Sequence, residues 1–378
     1  MTGFSDRVER ISISGIREVF EAASEDAINL GLGQPDFPTP GHAREAARTA
    51  IAAGEADAYT SNKGMRSLRE AIADRYAADR GLQVDPEAII ATAGGSEALH
   101  LVMEAHVDPG QDVLVPDPGF VSYKELTKLA GGEPVPVGLR DDLTLAPSAV
   151  EEAITENTAA FVVNSPANPT GAVQSEADMR AFARIADEHD VLCISDEVYE
   201  SIVFTGEHHS PFAFADSDNV VLVSACSKTY SMTGWRLGWV IGARSRIDRM
   251  LRVHQYIQAC ATGASQHAAE AALSGPQTPV EEMVDAFEAR RDVLLDGLEE
   301  MGLNTPTPDG AFYAMPSVPE GWVDAVIDRD VIVVPGEAFG AGGAGSARIS
   351  YATGIGDLKE AIERMREATR ACRSSASR

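Results

Sequence analysis

Short apolar runs alternate with amphipathic stretches through the middle of this chain, and the two patterns predict different elements. Residues 42–54 (HAREAARTAIAAG) and 66–80 (RSLREAIADRYAADR) repeat their apolar positions at helical spacing and are rich in good helix formers. GGSEALHLVMEAH opens on paired glycines, with a cap expected at Ser96, and then continues as a helix. DVLVPDPGF predicts a strand ending in a Pro/Gly turn, and EPVPVGL a second strand. TAAFVVNSPANPTG predicts a buried strand running into a polar loop, followed by a helix over SEADMRAFARIADEHD. VLCISDEVY and NVVLVSACSKT predict strands that end in polar residues. This alternation, from about 90 to 245, predicts an α/β fold with a mostly parallel central sheet sandwiched by helices. A long helix is expected over 278–302. The remainder, with AFYAMPSV, VIVVPGEAFG and ARISYA, predicts a smaller α+β unit. The glycine-rich AFGAGGAGSA predicts a flexible loop. It lacks the GK[ST] ending of a phosphate loop.

Charge changes this picture more than overall composition does. The 378 residues carry a formal net charge of −27. Only five lysines occur, Lys63, Lys124, Lys128, Lys228 and Lys359, and the other fixed cations are arginines. Such a field opposes binding to nucleic acid or anionic membranes. Self-repulsion at low ionic strength, relieved by salt, predicts a protein of a salt-rich cytoplasm. No apolar run reaches membrane-spanning length, and the opening MTGFSDRVERISISG is too polar for a signal peptide. The four cysteines show no metal-ligand spacing, and the histidines, His208 and His209 included, form no ligand motif.

In open parallel sheets, functional side chains gather at the carboxyl ends of the strands. The polar residues expected there are Asn164, Asn168, Asp196, Tyr199, Ser227 and Lys228. Lys228 stands out, in SKTYSMTGWRLGW, just after an apolar strand and eight residues before Arg236. Lysine forms a reversible Schiff base with an aldehyde cofactor. In so lysine-poor a chain, surface decoration is the weaker explanation. Asp196 follows the apolar VLCIS, where burial alone would raise its pKa and a cationic partner would restore ionisation. Glu197 competes for the same role, but its parity points it to the opposite face of an extended segment. Gly95 and Ser96 open a helix whose free N–H groups favour an anion.

INLGLGQPDFPTP, YTSNKGMRSLREAI, ATAGGSEAL, NSPANPTG, SDEVY, the Lys228 segment and ARISYAT stand in that order over nearly the whole chain. In that order they resemble the class I and II aminotransferases of fold type I, which use pyridoxal 5′-phosphate. The likeness is closest to the prokaryotic and archaeal branch that includes aspartate and aromatic amino acid aminotransferases. The resemblance implies that Lys228 carries the cofactor as a Schiff base and later shuttles the Cα proton. It implies that Asp196 pairs with the pyridine nitrogen, and that Tyr199 and Asn168 hydrogen-bond the phenolic oxygen. Phe120 would stack on the ring, where relatives often have tryptophan or tyrosine; the alternative is a core aromatic after a turn. Gly95, Ser96, Ser227 and Arg236 would hold the phosphate. Tyr59 would reach the phosphate of a neighbouring subunit, implying a homodimer with shared sites. Arg348 would grip the substrate α-carboxylate, aided by Asn168 and by Gly33 backbone; the alternative is an edge-strand arginine. The implied organisation is an N-terminal arm with part of a small domain (1–45), a large cofactor domain (46–280) and a C-terminal small domain (281–378).

The implied reaction moves the amino group of an L-amino acid, aspartate, aromatic or similar, to a 2-oxo acid such as 2-oxoglutarate, with no catalytic metal. Lys63, Arg66 and Arg17 are candidates to meet a distal carboxylate. Ile16, in SISGIREVF, falls where some aspartate-specific relatives carry a hydroxyl, so its apolar side chain favours a broad or aromatic pocket. Carbon–sulfur lyases share the fold and cofactor, and remain open alongside a non-catalytic cofactor-binding regulatory domain. Such a domain usually carries a DNA-binding module, for which no room precedes residue 28.

Overall fold

The computed structural model describes residues 3–12 and 27–376. Ile16 and Arg17, with the segment around them, lie outside the described residues. Twelve strands are described: β1 Ile28–Asn29, β2 Ile89–Thr92, β3 Asp112–Asp117, β4 Glu133–Gly138, β5 Thr158–Asn164, β6 Leu192–Asp196, β7 Val220–Ala225, β8 Gly238–Ile241, β9 Tyr313–Ala314, β10 Val331–Ile332, β11 Val334–Pro335 and β12 Ala347–Ser350. Seven of them form the central sheet in the order β2-β8-β7-β6-β5-β3-β4. Six run the same way and β8 alone is reversed. The mostly parallel sheet is the one that the apolar runs predict.

Alternation along each strand sends neighbouring side chains to opposite faces. Val221 and Val223 join one apolar cluster with Val113, Val115 and the helices Gly95–His106 and Arg244–Ile257, whereas Leu222 joins another on the far side. That second cluster collects Ala43, Ala47, Leu68, Ile72 and Tyr76 from the helices Gly41–Ala53 and Arg66–Arg80. Both helices stop at a left-handed glycine, Gly54 (φ 76°) and Gly81 (φ 64°), a conformation that costs glycine little. The paired-glycine helix begins at Gly95, with Gly94 (φ 85°) at the cap, so Ser96 lies inside the first turn rather than at the cap.

A separate core unites the helices Thr278–Glu300 and Ile355–Ala376 with the small sheet β11-β12-β9 and with Leu30. The N-terminal segment joins this unit by pairing β1 with β10. The glycine-rich run does not stand free as a loop. It folds into two short 3₁₀ turns, Gly336–Phe339 and Ala341–Gly343, packed on the end of β3. No helix among the described residues is long and apolar enough to cross a membrane.

Many surface arginines pair one turn away along a helix, as Arg66 does with Glu70 and Arg180 with Glu176. Such exposed pairs contribute little, and 58 acidic residues against 31 lysines and arginines leave a large excess of negative charge. Screening therefore relieves more repulsion than it removes attraction. The thermal midpoint of unfolding is expected to rise by several degrees between ~0.1 M and ~2 M KCl. An unchanged or lower midpoint, by calorimetry, would contradict this reading of the charge.

Candidate active site

Every strand of the central sheet that carries a candidate side chain delivers it to the same edge. β5 ends at Asn164 and β6 at Asp196, and β7 runs into the short helix Cys226–Thr229 with Ser227 and Lys228. Arg236, in a left-handed conformation (φ 51°), precedes β8. Because β8 is reversed, its start lies beside the ends of its neighbours, which brings Arg236 to the common edge. The C-terminal unit closes the other side with Tyr313 of β9 and Arg348 of β12, and the turn after β1 contributes Gly31, Leu32 and Gly33. Together these residues line a cavity of about 250 Å³.

Asp196 is buried, and Tyr123 Oη donates to its Oδ2 at 2.6 Å while Val198 N donates to Oδ1 at 3.3 Å. Burial pushes its pKa up to about 6, against the pull of those two donors. Lys228 Nζ donates to the Gly33 carbonyl at 2.6 Å. Desolvation, reinforced by Arg348 and Arg236, lowers its pKa to about 8. Tyr199 Oη lies 2.8 Å from Tyr313 Oη, and burial holds its pKa well above the usual phenol range. Asn164 braces the following loop: its Oδ1 accepts from Asn168 N at 2.8 Å and its Nδ2 donates to Asp196 O at 2.9 Å.

Arg348 is 2% exposed. One of its terminal nitrogens donates to Asn168 Oδ1 at 2.9 Å and the other to Gly31 O at 2.5 Å, while its Nε has no partner among the described residues. The guanidinium lies over the rings of Tyr313 and Phe339, 4.6 Å and 4.7 Å from their centroids. Among the described residues Arg236 reaches only the carbonyls of Thr233 and Ala93. Among the described residues neither arginine has a carboxylate partner, in a chain with 58 acidic residues. A cavity that keeps two arginines unpaired in so acidic a protein is built for anions.

The donor set fits pyridoxal phosphate. Beside Arg236 lie Ser227 and the first turn of the helix that starts at Gly95, whose free N–H groups suit a phosphate. A side chain at Gly94 would come within 2.6 Å of Arg236, and one at Gly238 within 2.7 Å of the Gly94–Gly95 backbone, so this cradle needs glycine at both positions. Phe120, Asp196, Tyr199 and Lys228 line the same cavity.

The family model for aminotransferase class I and II matches residues 25–365. The chain belongs to this family. A probable aspartate aminotransferase of Methanocaldococcus jannaschii is 41% identical over 96% of this chain and 99% of its own length. The aromatic-amino-acid aminotransferase 2 of Thermococcus litoralis is 37% identical over 96% of this chain and 97% of its own. The structure of Thermus thermophilus aspartate aminotransferase with maleate superposes with a TM-score of 0.93 at 37% identity, covering 97% of this chain and all of that one. This aminotransferase is thus a pyridoxal phosphate-dependent enzyme that moves amino groups between L-amino acids and 2-oxo acids.

Two aromatic partners of the aminotransferase site escape sequence reading. Tyr123 lies three residues after Phe120, in the first turn of the helix Ser122–Ala130, with no motif of its own to mark it. Tyr313 comes from a distant strand with no local signal, and a side chain at Gly33 would overlap its hydroxyl. Tyr59 is 88% exposed and does not line the cavity of its own chain. Lys63 and Arg66 do not line it either: Lys63 reaches Glu87 O at 2.9 Å, and Arg66 pairs with Glu70. Glu197 turns away from the cavity, as its parity predicts, and accepts from Ser195 and Ser210 at 2.7 and 2.5 Å, with His208 Nε2 2.7 Å away. Ligand-type atoms of Glu197, Glu200 and His208 lie within 4.8 Å of one another, a grouping that the sequence spacing does not reveal. Ser195, Ser210, Ser224, Tyr76 and Arg80 engage these groups, making the cluster a polar brace behind the Asp196 segment.

Proposed function

We propose that this aminotransferase accepts donors with aromatic or other apolar side chains as well as aspartate, and that Lys228, Asp196 and Arg348 carry its chemistry. The observation behind the roles is the buried, uncompensated Arg348 facing the same cavity as a lysine of lowered pKa and a buried aspartate. When bound, pyridoxal phosphate supplies an aldehyde that exchanges amines and a ring that takes up the electron pair left at the substrate Cα. Lys228 Nζ would hold that aldehyde and, once substrate takes its place, would carry the proton taken from the substrate Cα to the cofactor C4′. Asp196, as a carboxylate, holds the proton on the ring nitrogen, and Tyr199 and Asn168 steady the phenolic oxygen. Gly95, Ser96, Ser227 and Arg236 hold the phosphate and Phe120 supports the ring. Arg348 and the Gly33 backbone orient the α-carboxylate.

Support for apolar donors comes from the wall of the cavity, where Leu32, Leu99, Val198, Phe120 and Tyr313 lie. Among the described residues the cations lining it are Lys228, Arg236 and Arg348, each already assigned. A distal carboxylate would need a cation from elsewhere. Aspartate stays in the proposal because the relatives include proteins named for it. We further propose a homodimer in which the exposed Tyr59 completes the neighbouring site. Tyr256, at 87% exposure, offers a second uncovered aromatic. The domain boundaries near 45 and 280 are part of the same proposal, as is a salt-rich cytoplasm as its compartment. The charge of −27 opposes nucleic acid as a partner.

Titrating the cofactor-loaded enzyme with single amino acids tests the donor reading. Phenylalanine and tyrosine are expected to bleach the visible cofactor absorbance and release their 2-oxo acids with kcat/KM within about tenfold of aspartate. Turnover of aspartate alone would overturn the apolar pocket. Release of ammonia and pyruvate without amino-group retention would favour lyase chemistry.

A further inference from the structure

The turns over 336–345, which hold most of the glycine-rich run, lie between two parts of the site that share no strand. At one end, the Phe339 ring lies against the Arg348 guanidinium, 4.7 Å from it. The Phe339 carbonyl accepts from Gly119 N at 3.0 Å, directly before Phe120. At the other end, Gly342 N donates to Asp117 Oδ1 at 3.2 Å. Asp117 ends β3, is buried, and has Lys124 Nζ 3.7 Å from the same oxygen. The approach is close: a side chain at Gly340 (φ 133°) would overlap Asp117 Oδ1, and one at Gly342 would come within 2.5 Å of the Asp117 carbonyl. Contacts this tight demand glycine, which accounts for the composition of the run without invoking mobility.

We propose that Asp117 is a positioning residue for transamination: it clasps the 336–345 turns to the end of β3, fixing Phe339 against Arg348 and tying the carboxylate grip to the Phe120 platform. Two hydrogen bonds cross this seam, Gly119 to Phe339 and Gly342 to Asp117. Removing the second leaves the first as a hinge, on which Phe339 and with it Arg348 can turn. Arg348 is held by stacking and by two neutral oxygens, with no carboxylate to restrain it, so its direction depends on the rings beside it. Small displacements of an orienting group cost large factors in rate. This inference rests on the role given to Arg348 above.

The test compares the holoenzymes of Asp117→Ala, Asp117→Asn, Arg348→Lys and the Asp117→Ala/Arg348→Lys double variant. Asp117→Ala is expected to keep its cofactor spectrum and to raise KM for both amino acid and 2-oxo acid about tenfold, with a smaller change in kcat. Asp117→Asn, whose side-chain oxygen still accepts from Gly342 N, should restore most of that. In the Arg348→Lys background the alanine substitution should add little, since both act through one guanidinium. Asp117→Ser, polar but too short to reach Gly342, substitutes for the alanine protein if that fails to fold. Wild-type KM for Asp117→Ala, equal impairment of the asparagine variant, or full multiplicativity with Arg348→Lys would each overturn the clasp. An unchanged KM in Arg348→Lys alone would instead overturn the role of Arg348.

Discussion

Lys228→Ala is expected to lose turnover by about 10⁴-fold or more while becoming more stable as an apoprotein. The rate loss combines the missing covalent partner of the cofactor with the missing proton carrier, each a large factor in its own right. The stability gain follows from desolvation, the leading cause that lowers the pKa of Lys228 to about 8 from an ordinary 10.5. The folded chain therefore binds fewer protons than the unfolded chain between about 8 and 10.5, so apoprotein stability rises with pH across that window. Below pH 8 the buried ammonium imposes its full cost, and alanine removes it. At pH 7 the variant should melt higher than wild type, and the wild-type midpoint should approach it as the pH rises. The same lowered pKa makes cofactor capture pH-dependent, with the rate rising through about pH 8 as the neutral amine forms. Calorimetry and stopped-flow absorbance read both effects. A variant that turns over normally would remove Lys228 from the chemistry. A variant that melts lower at pH 7 would show that its contact with Gly33 outweighs the desolvation.

Asp196→Ala carries the second-largest expected effect, a loss of about 10²- to 10³-fold in kcat with little change in KM. Breaking a buried ion pair by removing one partner costs roughly 3–5 kcal/mol, which sets that scale. Before the cofactor binds, the carboxyl titrates at about 6, raised chiefly by burial, so much of it is already ionised at neutral pH. A protonated ring nitrogen would draw the pKa down again. By linkage, cofactor affinity should then fall as the pH drops below about 6, where the free carboxyl takes up a proton that the complex excludes. Tyr123→Phe removes the 2.6 Å donor to Oδ2. It should give a milder loss of about tenfold and move this pH dependence upward. Equal kcat for wild type and Asp196→Ala in single-turnover measurements would reassign the residue to a structural role.

Reading along the chain recovers those parts of the site that local pattern controls. Apolar runs of strand length place Asn164, Asp196 and Lys228 at strand ends, because the side-chain period is two and each run stops where polar residues begin. The same parity separates Asp196 from Glu197. The helix at Gly95 is legible because paired glycines before an amphipathic run mark a helix start. Arg348 and Phe120 gain meaning only from the motif order, since an arginine on a short strand and an aromatic after a turn are otherwise ordinary.

Long-range packing settles the rest. No local rule announces that β8 runs backwards and so carries Arg236 to the common edge, since direction in a sheet depends on strand neighbours far apart in sequence. Tyr313 meets Tyr199 across 114 positions, and Arg348 meets Asn168 across 180. The pKa values of Lys228 and Asp196 depart from ordinary ones only because separate segments exclude water from both. The glycine-rich run illustrates the boundary most directly. Its composition alone reads as freedom, whereas in the fold it records how closely its backbone approaches Asp117. Composition and period are properties of neighbours in sequence, while desolvation and close approach belong to neighbours in space.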